Sequence, residues 1–351
     1  MTMIAMQDYH LHLGEASEAL NSFIKPHHFS QIVLLVDRNT ERDCLPLLHL
    51  NHPSIISIPA GEAYKTIATC EIIWKKMLEM TLDRNCLMIN LGGGVIGDMG
   101  GFCAATYKRG IAFIQMPTTL LSMVDASIGG KLAVDLGAVK NSIGVFHNPK
   151  AVIIDPHFLK TLSLREIRSG FAEIIKHSLI WSPTQWEELQ MIKELSTVDW
   201  MQWLEKSIEV KKEVVLADPF EKGIRKALNF GHTIGHAVES YFLETDHPLL
   251  HGEAIAIGMI AESYLSMRLT NLSKTDLEVI TRFILNHYGH CYLPEKSFEY
   301  LLKMMSNDKK NQGNTINFTL IITPGQCTIN QIANDELIIE SLRFYNQLEG
   351  K

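Results

Sequence analysis

The chain has 351 residues, 46% hydrophobic and 20% charged, with a formal net charge of −7. That length accommodates two domains, and the composition is that of a folded globular chain, not a disordered or fibrous one. The acidic balance argues against nucleic acid or an anionic membrane as the main partner, because a phosphate surface asks for a basic face. No apolar run reaches membrane-spanning length. The opening MTMIAMQDYHLHLGE lacks the basic and apolar regions of a signal peptide, so a cytoplasmic location is expected. Six scattered cysteines, none in a C-x-x-C pair, read as reduced thiols that mostly fill the core.

Strand signals come first along the chain. QIVLLVD (31–37) is a continuous apolar run ending in an acid, as a buried parallel strand would be, and SIISIPA (54–60) is a second run. KTIATCEIIWKKMLEM (65–80) has helical apolar spacing, and CLMINLGGG (86–94) is a strand running into glycines. IAFIQMPTTLL (111–121) and AVIIDP (151–156) add two more strands. Strands alternating with helices predict βαβ units in a Rossmann-like parallel sheet. From LSLREIRSGFAEIIKHSLI (162–180) to RFILNHYGH (282–290) nearly every segment is helical in period. NTINFTLIITPGQCTI (314–329) predicts a hairpin around Pro324 and Gly325. The expectation is an α/β domain over residues 1–161 and a mostly α-helical domain over 162–351.

LGGGVIGDMGGF contains G-x-G-x-x-G as Gly92, Gly94 and Gly97, after a strand and at the opening of a helix. Such glycines let backbone approach a diphosphate, and a helix N-terminus offers it free N–H groups. A plain tight turn gives the same pattern. The loop comes too late for the first βαβ unit of a standard dinucleotide fold, and no acid follows about 20 residues on to hold a ribose. Asp37, at the end of the first buried strand, with Asn39 beside it, is the better ribose candidate.

LNFGHTIGHAVES places His232 and His236 four apart on one predicted helix face, and HGEAIAIGM follows with His251. Neutral imidazoles with a carboxylate suit zinc or cobalt, and a catalytic site keeps three protein ligands and one open position. The candidates are His232, His236, His251 and Glu173, with His177 four residues after Glu173. Spacing alone favours the pair His232 and His236; hydrogen-bonded core histidines are the competing reading. Lys131, Lys140 and Asn141, then Lys211, Arg225 and Asn229, then Lys309 and Lys310, lie among glycines and apolar residues. Together they suit an anion pocket for a small phosphorylated, carboxylated substrate, with Arg225 built to clamp a carboxylate.

GGGVIGDMGGFCAATYKRGI, PTTLLSMVDASIGGK, FAEIIKH and LNFGHTIGHAVE with HGEA together resemble the 3-dehydroquinate synthase family of sugar phosphate cyclases, over about residues 37–310. The resemblance implies NAD bound by Asp37, Asn39, Glu62, Lys65, Gly94, Val95, Ile96, Gly97, Asp98, Thr118, Thr119, Lys131, Lys140, Phe158 and Thr161. It implies zinc or cobalt on Glu173, His232 and His251. His236 then matches a contact to the substrate phosphate and not a ligand, together with Lys131, Asn141, Asn229 and one of Lys309 or Lys310. Lys211 and Arg225 match the carboxylate binders and Asp125 a hydroxyl contact. Arg109 matches an arginine that reaches a neighbouring subunit's phosphate site, which implies a homodimer. The implied reaction turns 3-deoxy-D-arabino-heptulosonate 7-phosphate into 3-dehydroquinate and phosphate, by transient oxidation with NAD, elimination, reduction and aldol closure.

Two positions depart from the family pattern: Met123 stands where glutamine is usual, and VDLGAVKN brings Asp135 where asparagine is common. A related sugar phosphate cyclase and a metal-dependent polyol dehydrogenase are the alternative enzymes, and a non-catalytic metal- or nucleotide-binding protein is the third. Retained Arg225, Asn229 and the lysine pair favour the first reading.

Overall fold

The computed structural model describes residues 2–50, 52–137, 139–243, 245–306 and 316–348. The chain divides into two compact units: residues 1–163 with 200–212, and residues 164–199 with 213–351. Nothing in the sequence signals the return of 200–212 to the first unit.

In the first unit, strands β1 (Thr2–Ala5), β2 (His10–Leu13), β3 (Ile32–Asp37), β4 (Ser54–Ile58), β5 (Leu87–Gly92) and β6 (Ala112–Pro117) precede a separate hairpin. That hairpin is β7 (Lys131–Leu136) with β8 (Val139–Phe146), and β9 (Ala151–Ile154) returns to the sheet. The sheet order is β1-β2-β9-β6-β5-β3-β4, antiparallel only between β1 and β2. β5 is buried at every position, which is why its run is apolar without alternation. Helices α1 (Ala16–Ile24), α2 (Arg38–Asp43), α3 (Ile67–Glu79) and α4 (Gly94–Thr106) connect the strands. Val33, Leu35, Ile56, Met88, Ile73, Met77, Ile96 and Met99 form one buried core. The expected parallel α/β sheet is present. The β1–β2 and β7–β8 hairpins were not expected; β2 and β7 do alternate, but over only four and six residues.

The second unit is built on α5 (Leu164–Trp181), α6 (Pro183–Leu189), the end of α7 (Trp200–Ala217), α8 (His232–Leu243), α9 (His251–Leu269), α10 (Lys274–Tyr288), α11 (Phe298–Ser306) and α12 (Asp335–Asn346). Residues 169–180 of α5 and most of α9 are buried around the whole helix, the signature of core helices. The expected hairpin is β10 (Asn317–Thr323) with β11 (Gln326–Ile332); residues 314 and 315 of its predicted span lie outside the described residues.

Candidate active site

In the first unit the glycine-rich loop lies where the strand order reverses. β4 flanks β3 on one side and β5 on the other. Leu35 pairs with Asn90, and Asp37 and Gly92 each stand two residues further on, at the carboxyl ends of these strands. Such a switch point is where open α/β sheets take ligands. The loop is therefore late in sequence but central in the sheet. Gly93 caps α4, whose first turns are Gly94, Val95, Ile96, Gly97 and Asp98. A small hollow is bordered by Gly93, Gly97, Asp98, Pro117 and Ser122.

The remaining cofactor candidates surround this loop or support it. One oxygen of Asp37 accepts the N–H groups of Asn39 and Thr40, each at 2.9 Å, and so caps α2. Lys65 donates to Asp98 Oδ2 and to Asn141 Oδ1, both at 2.6 Å. Burial opposes the Lys65 charge, but Asp98 and Glu62 outweigh it and raise its pKa; burial also raises the Asp98 carboxyl above its usual range, against the pull of Lys65. Glu62 lies 3.7 Å from Lys140. The Thr118 N–H donates to Gly92 O at 3.0 Å, the Thr119 hydroxyl meets Ser122 at 2.8 Å, and Thr161 donates to the backbone of buried Phe158 at 2.7 Å. Asn141, expected beside a substrate phosphate, thus meets a lysine expected at NAD.

Two substrate candidates also meet in the first unit: buried Lys211 donates to Asp125 Oδ1 at 2.6 Å. Lys131 and Arg109 are exposed, Arg109 with a left-handed φ of 68°. In the second unit Arg225 is buried and donates from Nη1 to Pro219 O at 2.5 Å. Asn229 donates to Glu221 Oε1 at 3.0 Å. Lys309 and Lys310 lie outside the described residues.

The metal candidates converge within the second unit. Glu173 comes from α5, His232 and His251 are the first residues of α8 and α9, and His236 is one turn into α8. Glu173 Oε1 lies 3.4 Å from His232 Nε2 and 3.5 Å from His251 Nε2. A tetrahedral ion with ligand bonds of about 2.0–2.1 Å has ligand–ligand edges of roughly 3.3–3.4 Å, so each of these two separations is that of a carboxylate and an imidazole sharing one zinc or cobalt ion. His232 Nδ1 is anchored on Phe230 O at 3.0 Å and His251 Nδ1 on Glu239 Oε2 at 3.3 Å, leaving both Nε2 atoms to face Glu173. The ligand atoms of His232, His236 and His251 also lie within 4.8 Å of one another, a looser grouping that the i, i+4 spacing foretells.

Electrostatics divides the two shared histidines. Burial, then Lys176, push His232 down to about 4, so its imidazole is neutral and ready to ligate. Burial acts the same way on His251, but Glu239 and Glu173 prevail and push it up to about 10. Lys176, buried one turn along α5, pairs with Glu173. Sequence reasoning missed Lys176, Glu239 and Glu221. The i, i+3 spacing of Glu173 and Lys176 was the available signal, but it is also that of an exposed helix pair.

The family model described as "3-dehydroquinate synthase N-terminal" matches residues 55–169, and "3-dehydroquinate synthase C-terminal" matches residues 170–311. The chain is 40% identical over 338 residues to the 3-dehydroquinate synthase of Parabacteroides distasonis, covering 94% of this chain and 96% of the relative. It is 43% identical over 296 residues to that of a Synechococcus strain, covering 82% and 80%. A solved structure of 2-deoxy-scyllo-inosose synthase, complexed with carbaglucose-6-phosphate, NAD+ and Co2+, superposes with a TM-score of 0.83 at 25% identity, covering 98% of this chain and 99% of that one. The fold is that of the sugar phosphate cyclases. Within them, the chain belongs to the 3-dehydroquinate synthase family, as its motifs led one to expect.

Proposed function

We propose that this chain converts 3-deoxy-D-arabino-heptulosonate 7-phosphate to 3-dehydroquinate and phosphate, with NAD and a zinc or cobalt ion as cofactors. The observation that carries the proposal is the convergence of Glu173 Oε1 with the Nε2 atoms of His232 and His251, in a chain of this family. When bound, NAD takes and returns a hydride and the divalent ion acidifies the substrate's hydroxyls. In this reading residues 1–161 carry the NAD contacts, chiefly Asp37, Glu62, Lys65, the 94–98 turn and Thr118–Thr119. Residues 162–351 carry the metal and further substrate contacts. Arg225 and Lys211 hold the carboxylate, and Asp125 accepts from a hydroxyl. Lys131, Asn141, Asn229, His236 and one of Lys309 or Lys310 donate to the phosphate, and Arg109 completes a second subunit's site in a homodimer. In this reading the phosphate's own oxygen takes the proton as it departs.

Phosphate release from the seven-carbon substrate tests the reading. Release is expected with NAD and metal, abolished by chelator and restored by added metal. Stoichiometric NADH from a simple polyol, with no phosphate from the heptulosonate, would establish the dehydrogenase alternative instead. The homodimer is checked by light scattering. Among the described residues no helix is long and apolar enough to cross a membrane.

A further inference from the structure

We infer that Glu262 is a positioning residue for the metal site, holding His232 through the backbone at the start of α8. The inference rests on the metal reading above. Glu262 lies on α9, and its side chain is completely buried. Its Oε2 accepts the N–H of Gly231 at 2.6 Å, and its Oε1 accepts the N–H of Ile234 at 2.9 Å. These donors bracket His232, the first residue of α8.

The first N–H groups of a helix have no partner within it, and negative charge is favoured at that end. Here the carboxylate that satisfies them comes from another helix, so the cap is also a tie between α8 and α9. Each of those helices begins with a metal candidate, His232 or His251. The tie sits where the backbones touch. A Cβ on Gly258 would lie 2.0 Å from Gly231 O, and one on Gly231, whose φ is +77°, would lie 2.5 Å from Met259 Cγ. Glu262 is one turn beyond Gly258. The imidazole of His232 depends on the same stretch, because its Nδ1 is anchored on Phe230 O. Displacing Gly231 therefore moves the ring and its anchor together.

A carboxylate is suited to this place because both oxygens accept. A glutamine amide has one oxygen and turns its N–H₂ group toward the second backbone donor, leaving that donor without a partner. Loss of one bond frees the first turn of α8 without removing any ligand.

Metal-free wild type, Glu262→Gln and His232→Ala are titrated with Co2+, following visible absorption, alongside circular dichroism and thermal unfolding. Glu262→Gln is expected to keep its helical spectrum but bind Co2+ about 10–100-fold more weakly, as outer-shell substitutions do, with shifted ligand-field bands. A helix cap of purely structural value lowers the melting temperature and leaves the Co2+ spectrum and affinity alone; that outcome overturns the inference. Where Glu262→Gln fails to fold, Glu262→Asp, which keeps two acceptor oxygens on a shorter stem, is read by the same criterion. Wild type that gives no cobalt band, or one untouched by His232→Ala, overturns the metal reading itself, a result distinct from normal cobalt binding by the Glu262 variants.

Discussion

Substituting Gly252 by alanine tests whether the approach of α9 to α5 sets the ligand geometry. Gly252 follows His251, and its N–H donates to Ser169 Oγ at 3.0 Å. A Cβ there would lie 1.9 Å from Ser169 O and 2.5 Å from Ser169 C. Ordinary contact begins at 3.4 Å, so the two backbones must part by about 1.5 Å. The obstacle is a carbonyl of a core helix, which no rotamer change can remove. Ser169 is one turn before Glu173, so the displacement falls on the 3.5 Å approach of Glu173 Oε1 to His251 Nε2. Metal sites hold their ligand distances within about 0.2 Å. Overpacking of this kind costs about 1–3 kcal/mol, which a core of this size survives. A misplacement near 1 Å costs on the order of 100-fold in turnover. Gly252→Ala is thus expected to fold, with Co2+ affinity reduced at least about tenfold and phosphate release far lower. Co2+ titration and a phosphate-release assay at saturating metal read the two effects separately. Wild-type affinity and turnover in Gly252→Ala would refute the reasoning, because the backbones would then have parted without disturbing the site.

Four further outcomes are expected. Glu173→Ala should lose Co2+ binding, whereas His236→Ala should keep it and raise KM for the phosphorylated substrate; loss of metal from His236→Ala would transfer the third ligand to the histidine. Lys65→Met leaves the partly buried Asp98 without its cation, a change worth at most about 3 kcal/mol, and should weaken NAD binding measured by calorimetry; unchanged affinity would remove Lys65 from the cofactor site. Arg225→Ala should raise KM and lower kcat by a combined roughly 1.5–3 kcal/mol, and an unaltered KM would exclude a carboxylate contact. The Asp218 carboxyl is held below its usual range: burial works against this, but the N–H groups of Gly223, Lys222 and Arg225 prevail. A depressed carboxyl stabilises the fold above its unfolded pKa, near 3.9, and the contribution disappears as pH falls through the lower folded value. Hydrogen-exchange protection at Gly223 and Arg225 should therefore be constant near neutrality and fall only in acid; equal protection at pH 3 and 7 would count against this role for Asp218.

What could be read from sequence was what local spacing encodes. The run 31–37, the glycines after 86–91 and the His232–His236 pair each repeat within a few residues, and all fall on the elements expected. Glu173 is 59 residues before His232, so no periodicity links them; the family motif alone singled it out. Glu239 and Glu262 were illegible for a related reason. A glutamate on a helix is usually a solvated charge, and only the packing of α8 on α9 turns these two inward. Asn141 was placed by its motif, but its left-handed φ of 50° and its bond to Lys65 depend on a hairpin that the residues between 131 and 146 do not announce.

That hairpin also explains how the chain carries one of its two departures from the family pattern. Met123 is fully buried, so an apolar side chain there is a packing choice that asks for no polar partner. Asp135 is more consequential. Its backbone N–H donates to Lys65 O at 2.9 Å, and its Oδ1 accepts the Asn141 N–H at 2.6 Å. The same lysine's ammonium group then grips the Asn141 side chain and Asp98. An acceptor is all that the Asn141 N–H requires, and either aspartate or asparagine supplies one. The altered loop therefore still closes on Lys65 and presents Asn141, and the substitution changes local charge while preserving the connection between the glycine-loop helix and the hairpin.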